Sequence, residues 1–329
     1  MKRIITILTV LTLFTVSCTK TELNLPKAQE RTIIVSATIP ADETASRVSY
    51  ATTDGSLGIT LKWNETDKLM LCFVYGGRYY HKEASIVSGS ISQEGKKADF
   101  KIEVPEEIPA GTPFTLHAIY QQTDGNKENG GYFEEHTAKY FLENREDWCL
   151  TLDKPDTKEK NMGIIRPALI STRKEVTTAT LNNLSFQHMG WIMALHLQNN
   201  TGKDQILPES LSFQSDGNSS LWNGSHYYYS VNINLDNDQI ESKIPKKNSI
   251  MFHIGNSPYE GQTIEKGKTI VFYRWLLNTP QTNEMDAYIV SKDGKSIKAP
   301  AILPRKNVKP GTVYHVYLKW SDNKLEQGK

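Results

Sequence analysis

The residues of this chain that could carry chemistry are few, and a cysteine near the N-terminus is the most informative. Lys2 and Arg3 precede the apolar run Ile4 to Val16, and Ser17 then precedes Cys18. Such a run is typical of a signal peptide and is shorter than the roughly 20 residues that span a bilayer. A small residue directly before a cysteine at this place predicts that Cys18 is lipidated. The alternative is an ordinary signal peptide followed by an incidental cysteine.

Acyl chains on Cys18 would anchor the protein firmly to the outer membrane, since each buried CH₂ group contributes about 0.8 kcal/mol to membrane binding. No later segment approaches the roughly 18 consecutive apolar residues of a membrane helix. We therefore expect the rest of the chain to fold in water.

Groups that resemble catalytic or metal-binding sites fail on spacing. Gly261 and Gly267-Lys268-Thr269 have five residues between the glycines, one more than a phosphate-binding loop, and a strand-like segment follows. Glu134-Glu135-His136 has no second histidine at helical spacing, and His188 and His196 are too far apart along one strand to bind one ion. The sequence therefore predicts no cofactor, no metal and no enzymatic activity.

Two further cysteines, Cys72 and Cys149, lie in apolar, strand-like surroundings. An exported protein permits a disulfide between them, and two buried free thiols are the alternative. Lysine and arginine number 38 against 37 aspartate and glutamate residues, so the overall charge does not indicate a nucleic-acid partner.

Aromatic residues suggest one binding site. Trp222 and Tyr228 flank a turn at Asn223-Gly224, and exposed rings there could stack on the sugars of a glycan. Alternate tyrosines of a strand face a core, so Tyr227 and Tyr229 are predicted to be packing residues.

Period-two alternation of apolar residues dominates the rest of the chain. Runs of this kind begin at nine places, namely Ile33, Ile59, Leu69, Phe100, Phe114, Trp191, Tyr227, Val271 and Tyr314, and polar turns separate them. No segment of a dozen residues has a helical period. The pattern predicts an all-β protein built from β-sandwiches.

The length suggests two folded units after an exported leader. We expect a signal peptide over 1–17, a polar tether over 18–30, and two β-sandwiches over 31–182 and 183–329.

Three passages resemble the fimbrillins, the subunits of type V pili. They are Arg47-Val48-Ser49-Tyr50 followed by Trp63-Asn64-Glu65-Thr66-Asp67-Lys68-Leu69, then Leu184-Ser185-Phe186-Gln187-His188 leading to Asn199-Asn200-Thr201-Gly202, and finally Lys309-Pro310-Gly311-Thr312-Val313-Tyr314. The resemblance extends over nearly the whole chain.

The resemblance implies two transthyretin-like β-sandwich domains and a mode of assembly. In pilin members of the family an Arg-specific protease cuts after the first strand, and a strand of the next subunit fills the groove. Arg47 is the matching residue, with a solvated surface arginine as the alternative. The strand displaced would carry Ile33, Val35, Ala37 and Ile39.

The sequence therefore predicts a structural or adhesive pilus component at the cell surface, lipid-anchored as a precursor, whose partners are other pilus subunits joined by β-strand addition. The alternative is a monomeric outer-membrane lipoprotein that binds a glycan or a host ligand.

Overall fold

A computed structural model of the protein describes most of the chain. The described residues are 31–40, 61–121, 131–143, 150–151, 168–214, 230–237, 239–242, 249–255, 260–277, 285–302, 310–311 and 313–328.

The described residues form β-strands almost throughout, with no α-helix among them and one single-turn 3-10 helix at Gln93–Gly95. The strands are β1 Thr32–Thr38, β2 Lys68–Tyr75, β3 Arg78–Ile86, β4 Lys97–Glu103, β5 Phe114–Gln121, β6 Tyr132–Phe133, β7 Lys139–Glu143, β8 Leu150–Thr151, β9 Ala168–Val176, β10 Asn183–Ser185, β11 Gln187–His188, β12 Gly190–Asn199, β13 Gln205–Ile206, β14 Ser210–Gln214, β15 Ser230–Asn234, β16 Gln239–Ser242, β17 Ser249–His253, β18 Thr263–Ile264, β19 Thr269–Leu277, β20 Met285–Val290, β21 Ser296–Ile302, β22 Val313–Ser321 and β23 Lys324–Gln327. The all-β prediction is confirmed.

The N-terminal half of the chain builds one large sheet. Its eight described strands follow the order β10-β1-β4-β3-β2-β5-β9-β11. The β2–β3 hairpin turns at Gly76-Gly77, where both residues have positive φ angles of 57° and 72°. A two-residue turn with positive φ at both positions matches the twist of a hairpin, and glycine adopts it without strain.

The two edges of this sheet meet, because one short stretch of chain pairs with both. β10 pairs in parallel with β1, β11 pairs antiparallel with β9, and only Phe186 separates β10 from β11. The backbone N–H of Phe186 donates to Thr38 O at 3.1 Å, and the Arg173 guanidinium on β9 donates to Asn183 O at 3.0 Å. The sheet is therefore closed on itself, and its opposite walls face each other across one core.

That core is filled by the inward-facing side chains of β1, β2, β4, β5, β9 and β10, as period-two alternation requires. The largest of them that are fully buried are Leu69, Leu71, Phe73, Phe100, Ile102 and Leu116.

The C-terminal half forms a second sandwich. A sheet of order β23-β22-β12-β19-β8 faces a sheet of order β17-β14-β20-β21, and a small β13–β18 pair lies beside them. Side chains from both layers share one core, including Leu195 and Leu318 from the first and Phe213 and Phe252 from the second.

A third packing cluster connects the two halves. The sheet β16-β15-β7-β6 is built from both halves of the chain, because Tyr140 on β7 pairs with Ile233 on β15. Its inner side packs with Ile119 on the outer face of the closed sheet and with Ala194 and Tyr273 on the outer face of the second sandwich. The halves therefore share buried apolar surface.

One sequence expectation needs adjustment, and a second is not tested by the structure. The run that begins at Ile59 was expected to be a strand, but residues 61–64 are not in a strand, and Trp63 is instead buried against the core of the closed sheet. The predicted boundary between 182 and 183 falls just before the stretch that closes the first sheet, and the division into two domains stays a prediction.

Candidate functional site

The first strand, β1, is an inner strand of the closed sheet. It pairs antiparallel with β4 on one side, with Val35 opposite Phe100 and Ala37 opposite Ala98. On the other side it pairs in parallel with β10, with Ala37 opposite Leu184. The first strand of the described chain thus lies between β4 and β10 and is hydrogen-bonded to both.

Burial along β1 follows the predicted alternation. Val35, Ala37 and Ile39 are buried at 0%, 0% and 1% exposure, and Ile33 is partly buried against the same core. Ile34 faces outward with 55% of its surface exposed. The structure thus brings the four residues of the predicted displaced strand to one face of the sheet.

Both ends of β1 are fixed by hydrogen bonds. At its start the Arg31 guanidinium donates to Pro105 O at 2.8 Å and to Ile108 O at 2.9 Å. Just past its end the backbone N–H of Ile39 donates to Lys96 O at 2.9 Å. The strand is therefore held by side chain and backbone contacts along its whole length.

Removal of β1 would leave a defined groove. The floor would lose Val35 and Ile39, each of which contributes about 1.5–3 kcal/mol by burial. The walls would be the edges of β4 and β10, whose backbone groups would lose their partners. Unpaired strand edges of this kind template the addition of another strand.

An aromatic cluster around Trp63 lies in the same core as the inward face of β1. Its ring centroid lies 5.1 Å from that of Phe100, 4.8 Å from that of Tyr120 and 5.8 Å from that of Phe186. Phe100 lies on β4, Tyr120 on β5, and Phe186 between β10 and β11. Trp63 therefore packs against three separate parts of the closed sheet.

A buried carboxyl group lies beside this cluster. Asp67 accepts hydrogen bonds from the Tyr120 hydroxyl at 3.1 Å and from the Asn64 backbone N–H at 2.8 Å. Burial raises the pKa of Asp67 to about 6 despite these two bonds, which act in the opposite direction. The Trp63 to Asp67 passage is thus a turn whose first and last residues are buried, whereas the three residues between them are exposed.

Several predicted site residues lie outside the described residues, so the structure does not test them. These are Cys18, Arg47, Trp222 and Tyr228, together with Cys149. Cys72 is described: its thiol is free and buried on the outer face of β2, and burial raises its pKa to about 12.

The loop Glu134-Glu135-His136, which the sequence analysis rejected as a metal site, is exposed at its last two residues. His136 and Glu135 have side chains that are 85% and 88% exposed, with their nearest atoms 3.4 Å apart. His188 and His196 do not share one strand, since His188 lies in β11 and His196 in β12. His196 instead meets His315 on the neighbouring strand β22, a contact that its place in the sequence does not reveal.

In the described part of the chain, no cluster of three or more His, Cys, Asp or Glu side chains is arranged to hold a metal ion. Over the same residues, no helix has the length and apolar character needed to cross a membrane.

Comparison with known proteins gives structural similarity only. No protein-family model matches the sequence, and no curated protein matches it. Among solved structures, the chain is similar to a candidate cell adhesion protein of Bacteroides ovatus, with 10% identity, a TM-score of 0.49, and coverage of 92% of this chain and 97% of that chain. A candidate cell adhesion protein of Bacteroides uniformis gives 9% identity, a TM-score of 0.45, and coverage of 90% and 96%.

Candidate polysaccharide-binding proteins of Bacteroides thetaiotaomicron are also similar, with 12% identity, a TM-score of 0.43, and coverage of 88% of this chain and 93% of that chain. At these identities and TM-scores the likeness carries no functional argument, so function has to be inferred from the residues of this chain.

Proposed function

We propose that this chain is a structural or adhesive component of a cell-surface pilus, exported as a lipoprotein through Cys18 and joined to other subunits by strand exchange after cleavage at Arg47. The observation that carries the proposal is the place of β1: it is the first described strand, it lies between β4 and β10, and its inward face fills the core.

The energetics of the vacated groove support assembly. Val35 and Ile39 alone account for about 3–6 kcal/mol of burial, before the backbone pairing on both edges is counted. A subunit without β1 is strongly driven to take up a new strand, because a domain has a net stability of only about 5–15 kcal/mol.

The strand β22, which precedes the last strand of the chain, is a poor candidate for the strand that such a protein donates. β22 pairs with both β12 and β23, and Val316, Leu318 and Trp320 are buried in the second core. Its withdrawal would dismantle that core. The proposal is therefore that this chain accepts a strand in the groove of β1.

The experiment compares Arg47→Lys with the native protein in the cells that produce it. An Arg-specific protease does not cut after lysine, while the positive charge is kept. We expect native protein from the cell surface to begin at Val48 by mass spectrometry and to form polymers that resist dissociation. Arg47→Lys is expected to keep β1 and to remain at the size of one subunit.

Arg78→Lys is the matched control, since Arg78 is an exposed arginine in the β2–β3 hairpin and is not expected to affect processing. A native protein that begins at lipidated Cys18 and elutes as a monomer would overturn strand exchange and favour the ligand-binding lipoprotein.

A further inference from the structure

Two histidines from neighbouring strands meet on the outward face of the second sandwich. His196 lies on β12 and His315 on β22, and His196 Nε2 is 2.8 Å from His315 Nδ1. The parallel pairing places Ala194 opposite His315 and Tyr317 opposite His196, so the two imidazoles are diagonal neighbours. These two ring nitrogens lie within hydrogen-bond distance of each other on the outward face of the sheet.

The strands beneath this pair form a rigid frame. β12 is hydrogen-bonded to β19 on one side and to β22 on the other. The side chains next to the histidines along each strand, Leu195 and Val316, point the opposite way into the core. The Tyr317 ring also stacks on His196, with 4.3 Å between centroids and 21° between planes. The two imidazoles are therefore oriented before any ligand arrives, which favours binding.

The separation of the nitrogens suits a shared metal ion. Two nitrogens that bind one ion at about 2.0–2.1 Å lie about 2.9 Å apart at the 90° angle of a tetragonal copper or nickel ion, and about 3.3 Å apart at the tetrahedral angle of zinc. The observed 2.8 Å is close to the first value, and a tetrahedral ion would require the two nitrogens to move apart by about 0.5 Å. In either case the ring that donates the hydrogen bond would carry its proton on its other nitrogen.

The ligand atoms determine which class of ion this histidine pair can bind. Gln198 and Lys319 follow on the same face, and Glu326, opposite Lys319 on β23, pairs with Lys324. Within the described chain no third His, Cys, Asp or Glu completes a set with the two histidines. Imidazole nitrogens suit zinc, copper and nickel, whereas calcium and magnesium require oxygen ligands.

We propose that His196 and His315 form a two-histidine site for one divalent transition-metal ion, with water in the remaining coordination positions. The site is open to solvent, because His315 is exposed and Tyr317 is 40% exposed. It is independent of the groove of β1 and of pilus assembly.

The test titrates ZnCl₂ into the purified protein, prepared without a polyhistidine tag, by isothermal calorimetry at pH 7. We expect one ion per chain with the native protein, and at least about a tenfold loss of affinity in His315→Gln. His136→Gln is the matched control, since it removes an exposed histidine in a different part of the fold, and it should bind as the native protein does.

Two further measurements separate a lost site from a lost fold. Without metal, His315→Gln should unfold at the native temperature, and ZnCl₂ should raise the midpoint of the native protein alone. With CuCl₂, the electron paramagnetic resonance spectrum should show coupling to two nitrogens in the native protein and should lose it in His315→Gln. Equal zinc affinity in native protein and His315→Gln, or no zinc binding by the native protein at millimolar concentration, would overturn the proposal.

Discussion

Asp67 shows how one buried group can make the stability of this fold depend on pH. The side chain is 9% exposed, and its folded-state pKa of about 6 lies above its ordinary value of 3.8. A raised carboxyl pKa means that the folded protein binds the proton more tightly than the unfolded chain does. The stabilisation is therefore complete below about pH 4 and is lost as the pH rises through 6.

We predict that Asp67→Asn removes this pH dependence. Asparagine is neutral at every pH and can still accept the hydrogen bond from the Asn64 N–H. The free energy of unfolding of the variant, relative to native protein, should rise by about 2 kcal/mol between pH 4 and 7, since one pKa unit corresponds to about 1.4 kcal/mol and the unfolded carboxyl is already partly ionised at pH 4. Urea unfolding at several pH values measures this difference.

Glu65→Gln is the control for Asp67→Asn, because Glu65 is exposed in the same turn and its replacement should leave the pH profile unchanged. A profile of Asp67→Asn that runs parallel to the native one would contradict the assignment.

The sequence singled out this passage only through its resemblance. Asp67 stands between polar Thr66 and Lys68, which predicts exposure. It is buried beside the Tyr120 hydroxyl, which donates to it from the neighbouring strand β5, some fifty residues later in the chain. A partner so distant in the chain leaves no local pattern, and the same holds for His196 and His315.

The strand β1 is the element on which the proposed function depends. Its inward and outward faces could be assigned from alternation alone, and the structure agrees. Its neighbours could not be assigned, because the parallel pairing with β10 joins segments from distant parts of the sequence. Alternation fixes which side of a strand is buried, whereas the choice of partner depends on the complete fold.

We predict that isoleucine-to-alanine changes on the two faces of this segment differ strongly in their effect on stability. Ile39→Ala leaves a cavity at a position that is 1% exposed and should lower the free energy of unfolding by about 2–5 kcal/mol. Ile34→Ala removes a side chain that is 55% exposed and should change it by less than about 0.5 kcal/mol. Denaturant unfolding of both variants measures the difference, and equal losses would mean that the register of β1 is wrong.

At the scale of the whole molecule, the third cluster decides whether the two halves behave as one body. The run Gly190 to Leu195 is almost continuously apolar, which is typical of a strand buried on both faces. The alternation of Trp191, Met193, Leu195 and Leu197 predicts a strand with one buried face. In the structure its second face packs against the closed sheet and the sheet containing β7 and β15.

We predict that a charge placed in this cluster separates the unfolding of the two halves. Ala194 is 0% exposed and lies in the shared cluster, so Ala194→Asp would bury a carboxylate without a partner. Scanning calorimetry should show one transition for native protein and two for the variant. Ala110→Asp, in an exposed turn, should keep the single transition. A single transition in Ala194→Asp would mean that the halves are coupled by other contacts.

The closure of the first sheet also sets the order in which the protein can fold. Ser36 pairs with Asn183, nearly half the chain away, so β1 cannot acquire its second neighbour until that distant stretch has been synthesised. Long-range pairing of this kind slows folding, because the intervening chain must be ordered before the contact forms. During synthesis one edge of β1 therefore stays unpaired until residue 183 has emerged, and a chaperone that shields this edge would be most useful during that interval.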